Sequence, residues 1–164
     1  MLSINIFVAS VCLLILELAF GSWIHNGPLD LLNIPRNVEI YYHNIGAAQA
    51  NWQGVYTRDK YGLRGNYTDI GHIDILTLGG STTDQRLLSD EDTWQSVMQK
   101  AFEQHGSAKV VVNAGVDGQS SVGHIRAFDL WLNLIPGLRA KWVLVYVGIN
   151  DLNISDQSNY NTMV

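Results

Sequence analysis

The sequence has a single cysteine, Cys12, and this scarcity excludes a disulfide framework or a cysteine-built zinc site within one chain. Charge is also scarce, since 15% of the 164 residues are charged, with 10 Lys and Arg against 15 Asp and Glu. The formal net charge of −5 argues against a nucleic-acid partner, which would favour a basic patch. An apolar content of 47% further excludes a disordered or collagen-like chain.

Basic residues are absent before Arg36, whereas 18 of the first 24 residues are apolar. At 1.5 Å per residue, the apolar run over residues 4–24 is long enough to cross a hydrocarbon core of roughly 30 Å. We therefore predict an N-terminal transmembrane helix, with residues 1–24 as a membrane anchor. A cleaved signal peptide is the alternative, because Ala19-Phe20-Gly21 has the small-x-small pattern that signal peptidase reads. A buried core helix is a third possibility.

The remainder of the chain divides at residue 73. Residues 25–72 combine turn formers and aromatic residues with little periodicity, so we predict a connector that packs on the following domain. Its most specific segment is DKYGLRG, residues 59–65, where two glycines bracket an arginine and allow tight turns. Residues 73–164 are predicted to form the domain itself.

Apolar runs at residues 73–78, 110–112 and 142–147 predict three buried strands. Apolar residues at helical spacing predict one helix from about Thr93 to Gly106 and another from Ser120 or Ser121 to Pro136. The order β-α-β-α-β with near-continuous apolar strands predicts an α/β fold with a parallel sheet covered on both faces.

Each predicted strand ends in a polar or glycine-rich segment, and ligand sites of open α/β sheets lie beyond these carboxyl ends. Ser81 follows a glycine pair at a strand-to-helix turn, which exposes the hydroxyl and aims backbone N–H groups at the same place. Gly118 would let a substrate oxygen approach a second N–H, and the Asn150 amide is a neutral donor suited to developing negative charge. Ser81, Gly118 and Asn150 are therefore the candidate site residues.

These three segments resemble the sequence blocks of the SGNH/GDSL hydrolase family. GGSTT at residues 79–83 is similar to the first block, VDGQS at 116–120 to the glycine block, and GIND at 148–151 to the Gly-x-Asn-Asp block. The resemblance covers roughly residues 73 to 151, and YGLR at residues 61–64 is similar to a segment of anchored members. It implies a three-layer α/β/α, flavodoxin-like fold.

The resemblance also implies ester hydrolysis through a seryl acyl-enzyme, with Ser81 as the nucleophile. The Ser81 N–H, the Gly118 N–H and the Asn150 side chain would form the oxyanion hole, with no metal and no organic cofactor. The implied substrate is a small-molecule, lipid or acylated-carbohydrate ester, and we expect a membrane-anchored domain on the extracytoplasmic side. Two alternatives stay open: an O-acyltransferase acting on a cell-envelope polysaccharide, and a non-catalytic, membrane-tethered module.

Two departures from the family pattern bear on activity. Gly80 stands where the named Gly-Asp-Ser-Leu motif has aspartate. The family's last block, Asp-x-x-His, supplies the catalytic base and its acid partner, but none of the five histidines follows Asn150. We therefore expect an incomplete domain, cut short after its third strand. His124 is the one histidine expected near the site, because His72 and His105 belong to the far end of the sheet.

Other polar residues receive structural interpretations. Four acidic residues are of the type that binds metal ions: Asp84, Asp90, Glu91 and Asp92. We predict instead that they are solvated acids that complement a helix dipole. Asp151 is predicted to be a hydrogen-bonding partner, not a catalytic acid. A nucleotide site is excluded because the first strand is followed by neither Gly-x-Gly-x-x-Gly nor a P-loop lysine. Core positions are predicted for three tryptophans, Trp94, Trp131 and Trp142.

Overall fold

The computed structural model describes residues 2–20, 27–43 and 53–153. The chain divides into two compact units, Met1–Leu31 and Leu32–Val164. The cleavage point of the signal-peptide alternative, after Gly21, and the histidine His25 lie outside the described residues.

The first unit contains helix α1, Leu2–Phe20, and a 3₁₀ turn, Pro28–Leu31. The apolar side chains of α1 from Ile4 to Phe20 are largely exposed. Among the described residues, no helix combines the length and the apolar character that crossing a bilayer requires. The predicted transmembrane helix over residues 4–24 is therefore not supported, and the described helix ends at Phe20. The membrane partner and the extracytoplasmic location stay predictions.

The second unit begins with an antiparallel hairpin inside the predicted connector. Strand β1, Val38–His43, pairs with strand β2, Gln53–Arg58, so that Val38 lies opposite Arg58. In β2 every second residue is buried, as the period of a strand requires. The sequence pattern hid this hairpin because the buried positions hold Gly54, Tyr56 and Arg58, of which none is aliphatic.

A parallel sheet of three strands forms the centre of the unit, as predicted. Strand β3, Ile73–Gly79, lies between β4, Val111–Asn113, and β5, Ala140–Tyr146. Leu76 is the registered neighbour of both Val112 and Val143. The ends of all three strands therefore meet at one edge of the sheet, where the predicted site residues follow.

Three helices connect or flank these strands: α2, Ser81–Asp84, α3, Trp94–Gln104, and α4, Ser121–Leu130. Helix α3 begins after Thr93, whose hydroxyl accepts a hydrogen bond from the Ser96 N–H at 3.4 Å. Helix α4 is shorter than predicted, because the chain continues as a 3₁₀ turn, Leu132–Leu134. Further 3₁₀ turns occur at Asp90–Asp92 and Ile149–Asn153.

Strand β5 contradicts the prediction that the sheet is covered on both faces. Residues 141–146 are all exposed, and successive side chains of a strand point to opposite faces. The described residues therefore leave both faces of this edge strand open. Trp142, predicted to be in the core, is 71% exposed, whereas Trp131 is fully buried at 0% and donates from its Nε1 to the Tyr61 carbonyl at 2.6 Å.

This contrast between two tryptophans gives a stability prediction. We expect Trp131→Ala to lower the free energy of unfolding by about 3–5 kcal/mol, because a buried indole leaves a cavity. Trp142→Ala is the matched control, and its cost should stay near 0.5 kcal/mol because its side chain is exposed. Urea unfolding followed by circular dichroism measures both. Equal losses in the two variants would show that β5 is packed in solution.

Candidate active site

Ser81 lies where strand β3 gives way to α2. The chain is tightly packed at this turn. A Cβ on Gly79 would lie 2.1 Å from Thr83 Oγ1 and 2.5 Å from the Tyr146 carbonyl oxygen, so only glycine fits there. The Gln85 N–H closes the turn by donating to the Ser81 carbonyl at 2.8 Å. The Ser81 side chain is exposed, and its hydroxyl has no hydrogen-bond partner among the described residues.

Asn150 lies directly against this turn. A Cβ on Gly80 would lie 2.4 Å from Asn150 Nδ2, so the missing side chain of Gly80 makes room for the Asn150 amide. The same amide donates to the Gln119 carbonyl at 2.9 Å. An amide nitrogen carries two protons, which leaves the second for another acceptor. The contacts of Asn150 thus join residues from all three sequence blocks.

Asp151 strengthens the same junction. Its Oδ1 accepts a hydrogen bond at 2.7 Å from the N–H of Ser121, the first residue of α4. The first N–H groups of a helix have no partner inside the helix, so this carboxylate supplies one. Asp151 has the hydrogen-bonding role that was predicted for it.

Gly118 occupies the second block, between Asp117 and Gln119. Its φ of +75° falls in the left-handed region that favours glycine. No described group accepts a hydrogen bond from its N–H. The backbone thus has the freedom expected of an oxyanion-hole position, while the role itself stays a prediction.

Asp84, the last residue of α2, is buried, which contradicts its prediction as a solvated acid. It is 3% exposed, and its Oδ1 lies 2.8 Å from Arg58 Nη2 and 3.8 Å from Arg64 Nη1. The Tyr56 hydroxyl donates to the same carboxylate at 3.2 Å. A buried carboxylate needs such partners because ionised groups lose their hydration on burial.

The second arginine of this group, Arg64, extends it to Asp90. Arg64 Nη2 donates to Asp90 Oδ1 at 2.7 Å and to the Leu88 carbonyl at 2.9 Å, and its guanidinium lies 4.5 Å from the centre of the Tyr56 ring. Asp90 is therefore half-buried and paired, contrary to the prediction, whereas Glu91 and Asp92 are exposed as predicted. We refer to Tyr56, Arg58, Arg64, Asp84 and Asp90 as the arginine cluster.

The arginine cluster attaches the Ser81 turn to segments distant in the sequence. Arg58 donates to the carbonyls of Gly62 and Gly115, and Arg64 donates to the Asp84 carbonyl. Asn113 adds a link, because its Nδ2 donates to the Thr83 carbonyl at 2.7 Å. The sequence signal for the cluster was slight, since its arginines lie in the connector and 26 residues separate Arg58 from Asp84.

None of the described histidines contacts the Ser81 hydroxyl. His124 is 4% exposed, and both of its ring nitrogens lack a hydrogen-bond partner among the described residues. Burial lowers the pKa of His124, against the opposing effect of the Asp151 carboxylate. His72 precedes β3 whereas Ser81 follows it, and seven strand residues span roughly 23 Å. His72 instead pairs with Asp69 at 2.5 Å.

A cavity of about 590 Å³ opens beside Ser81. We call it the Ser81 cavity, and its wall includes Tyr42, Arg86, Leu87, Leu88 and Asp117. Within the described ranges, no cluster of three His, Cys, Asp or Glu side chains could hold a metal ion. The arrangement offers an exposed hydroxyl, the Asn150 amide beside the preceding glycine, and space for a small ligand.

Comparison with known proteins gives structural neighbours only. No model of a protein family and no curated protein matches the chain. The crystal structure of AlinE4, an SGNH-hydrolase family esterase, is similar with a TM-score of 0.44 and 23% identity. Its aspartate-to-alanine variant has the same values, and its serine-to-alanine variant has a TM-score of 0.43 and 21% identity. Each match covers 53% of this chain and 44% of the esterase chain.

The arginine cluster leads to a prediction for Asp84→Asn. Asparagine has nearly the same shape as aspartate but lacks the negative charge that compensates the two buried guanidinium groups. We therefore expect a loss of about 3–5 kcal/mol in the free energy of unfolding. Asp92→Asn, on an exposed side chain, should change it by no more than about 0.5 kcal/mol. Urea unfolding of both variants at pH 7 provides the measurement. An Asp84→Asn protein as stable as the parent chain would refute the proposed importance of the charge.

Proposed function

We propose that this chain carries the nucleophile and the oxyanion hole of an ester hydrolase of the SGNH/GDSL type. The observation that supports the proposal is the contact of Asn150 with both Gly80 and Gln119, because Gly80 directly precedes the exposed Ser81. The order of the three blocks along the chain supports the same assignment. The proposed reaction is compatible with small-molecule, lipid and acylated-carbohydrate esters as substrates.

In the proposed reaction, Ser81 Oγ attacks the ester carbonyl carbon and its proton passes to a base. The carbonyl oxygen becomes an oxyanion, which accepts hydrogen bonds from the Ser81 N–H, the Gly118 N–H and the second proton of Asn150 Nδ2. As the intermediate collapses, the ester C–O bond breaks, the base returns the proton to the departing alcohol, and an acyl-enzyme remains. Water then hydrolyses the acyl-enzyme to the carboxylic acid and restores the Ser81 hydroxyl. Donors fixed before the reaction stabilise the developing charge without further reorganisation.

The base is the component that the described residues do not supply. No described histidine hydrogen-bonds to Ser81, and the carboxylate nearest in sequence, Asp84, is occupied by the two arginines. Loss of a triad member lowers rates by about 10⁴ to 10⁶. We therefore expect slow acylation by the chain alone and faster acylation when a small base is added.

Covalent labelling tests Ser81 as the nucleophile. A fluorophosphonate should attach to Ser81, and added imidazole should increase the labelling rate because it can accept the hydroxyl proton. Ser81→Ala should abolish labelling, whereas Thr82→Ala, which removes the adjacent exposed hydroxyl, should retain it. Mass spectrometry of the intact chain and of its peptides measures the adduct. A chain that stays unlabelled with imidazole present would indicate the non-catalytic alternative.

A second variant tests the oxyanion hole. Removal of one such donor typically costs about 10²–10³ in rate, so we expect Asn150→Ala to lower the imidazole-assisted acylation of Ser81 by p-nitrophenyl acetate by that factor. Asp151→Asn perturbs the adjacent link to α4 but keeps an oxygen acceptor and the Asn150 donor, so its effect should be below tenfold. Acetyl-enzyme formation is followed by mass spectrometry. Similar rates in Asn150→Ala and the parent chain would exclude Asn150 from the hole.

A further inference from the structure

The wall of the Ser81 cavity combines two kinds of surface. Leu87 and Leu88 are apolar, whereas Arg86, Asp117 and the Tyr42 hydroxyl are polar. The volume of about 590 Å³ falls within the range of small-ligand sites, roughly 300–1,000 Å³. This space exceeds the need of an acetyl group, so the wall is expected to contact another part of the substrate.

The polar side chains of this wall are held loosely. Arg86 Nη1 lies 3.3 Å from Asp117 Oδ2, and Arg86 Nη2 lies 3.4 Å from the Tyr42 hydroxyl. The Arg86 and Asp117 side chains are 53% and 40% exposed, and exposed ion pairs contribute little to stability. In contrast to the buried arginine cluster, these groups can exchange their mutual contacts for contacts with a ligand.

The charges of the wall distinguish between ligand classes. Asp117 neutralises Arg86 and would repel a second anion, so the pair is a poor site for a phosphate or carboxylate group. Together the two side chains offer donors and acceptors, which match hydroxyl groups because each hydroxyl both donates and accepts. The Tyr42 ring adds an apolar face beside them. An uncharged, hydroxyl-rich molecule with an apolar face meets all three conditions.

We infer that the Ser81 cavity binds an uncharged sugar as the alcohol part of the ester, through Tyr42, Arg86 and Asp117. The inference rests on the proposed function, in which Ser81 reacts with that ester. The same three side chains line a second cavity of about 220 Å³, whose wall also includes Asn33, Pro35 and three members of the arginine cluster, Tyr56, Arg58 and Asp84. This second cavity leaves room for an adjoining sugar ring. The substrate class is thus an acylated carbohydrate, not a phospholipid or a simple alkyl ester.

Binding to the Ser81→Ala chain tests the inference without turnover. The probes are 6-O-acetyl-D-glucose, butyl acetate and glucose 6-phosphate, measured by isothermal titration calorimetry or ligand-observed NMR. We expect the acetylated sugar to bind about tenfold more tightly than butyl acetate, because it gains two or more hydrogen bonds. Tightest binding of glucose 6-phosphate would overturn the inference in favour of an anion site. Equal binding of the two acetates would overturn it as well.

Variants identify the residues responsible. In the Ser81→Ala background, Arg86→Ala and Asp117→Ala should each weaken binding of the acetylated sugar by about fivefold to tenfold. Lys141→Ala is the matched control, since it removes another exposed ion pair, 3.2 Å from Asp74 at the opposite end of the sheet, and should leave binding unchanged. Circular dichroism verifies folding. Unchanged sugar affinity in both folded cavity variants would refute the assignment.

The two proposals fail in different experiments. Absence of Ser81 labelling, combined with sugar binding that depends on Arg86 and Asp117, would refute the hydrolase and retain the sugar site. Labelling of Ser81 without selective sugar binding would retain the hydrolase and refute the sugar site.

Discussion

The geometry around Ser81 depends on one buried carboxylate, that of Asp84. Helix α2 has four residues, and a single turn of helix is not stable by itself because its nucleation is unfavourable. The turn persists because the arginine cluster holds its end, with Arg58 and Arg64 donating to the Asp84 side chain and backbone. Each arginine also reaches another segment, so one charge cluster fixes the hairpin, the YGLR segment and the loop after β4 relative to Ser81.

Much of the central fold could be predicted because its signals are local. Apolar runs followed by polar or glycine-rich segments marked the strands. Because the ends of parallel strands meet, the proximity of Ser81 and Asn150 followed from their positions along the chain. The arginine cluster could not be predicted in this way, because an acid and a base that pair in the folded state leave no local pattern. Asp84 was consequently assigned to solvent, and the hairpin that carries Arg58 was missed.

Burial of the third strand could not be predicted for a different reason. An apolar run indicates a strand that can be covered, whereas coverage itself depends on which elements pack against it. Among the described residues nothing buries the side chains of β5, and Trp142 is exposed although residues 143–147, which follow it, are apolar too. Trp131 was assigned correctly: it directly follows α4, it is fully buried, and its Nε1 donates to the Tyr61 carbonyl. A hydrophobic pattern thus indicates which residues can be buried. Whether they are buried depends on the elements that the fold packs against them.

The contact between Gly80 and Asn150 couples the side chains that the chain can accept at these two positions. A β-carbon at position 80 would occupy the place of the Asn150 amide, so a chain with any side chain at position 80 must hold the residue at 150 in another rotamer or farther away. Substitutions at the two positions are therefore expected to be epistatic. Whether a substitution at one position is tolerated depends on the residue at the other, although 70 positions separate the two.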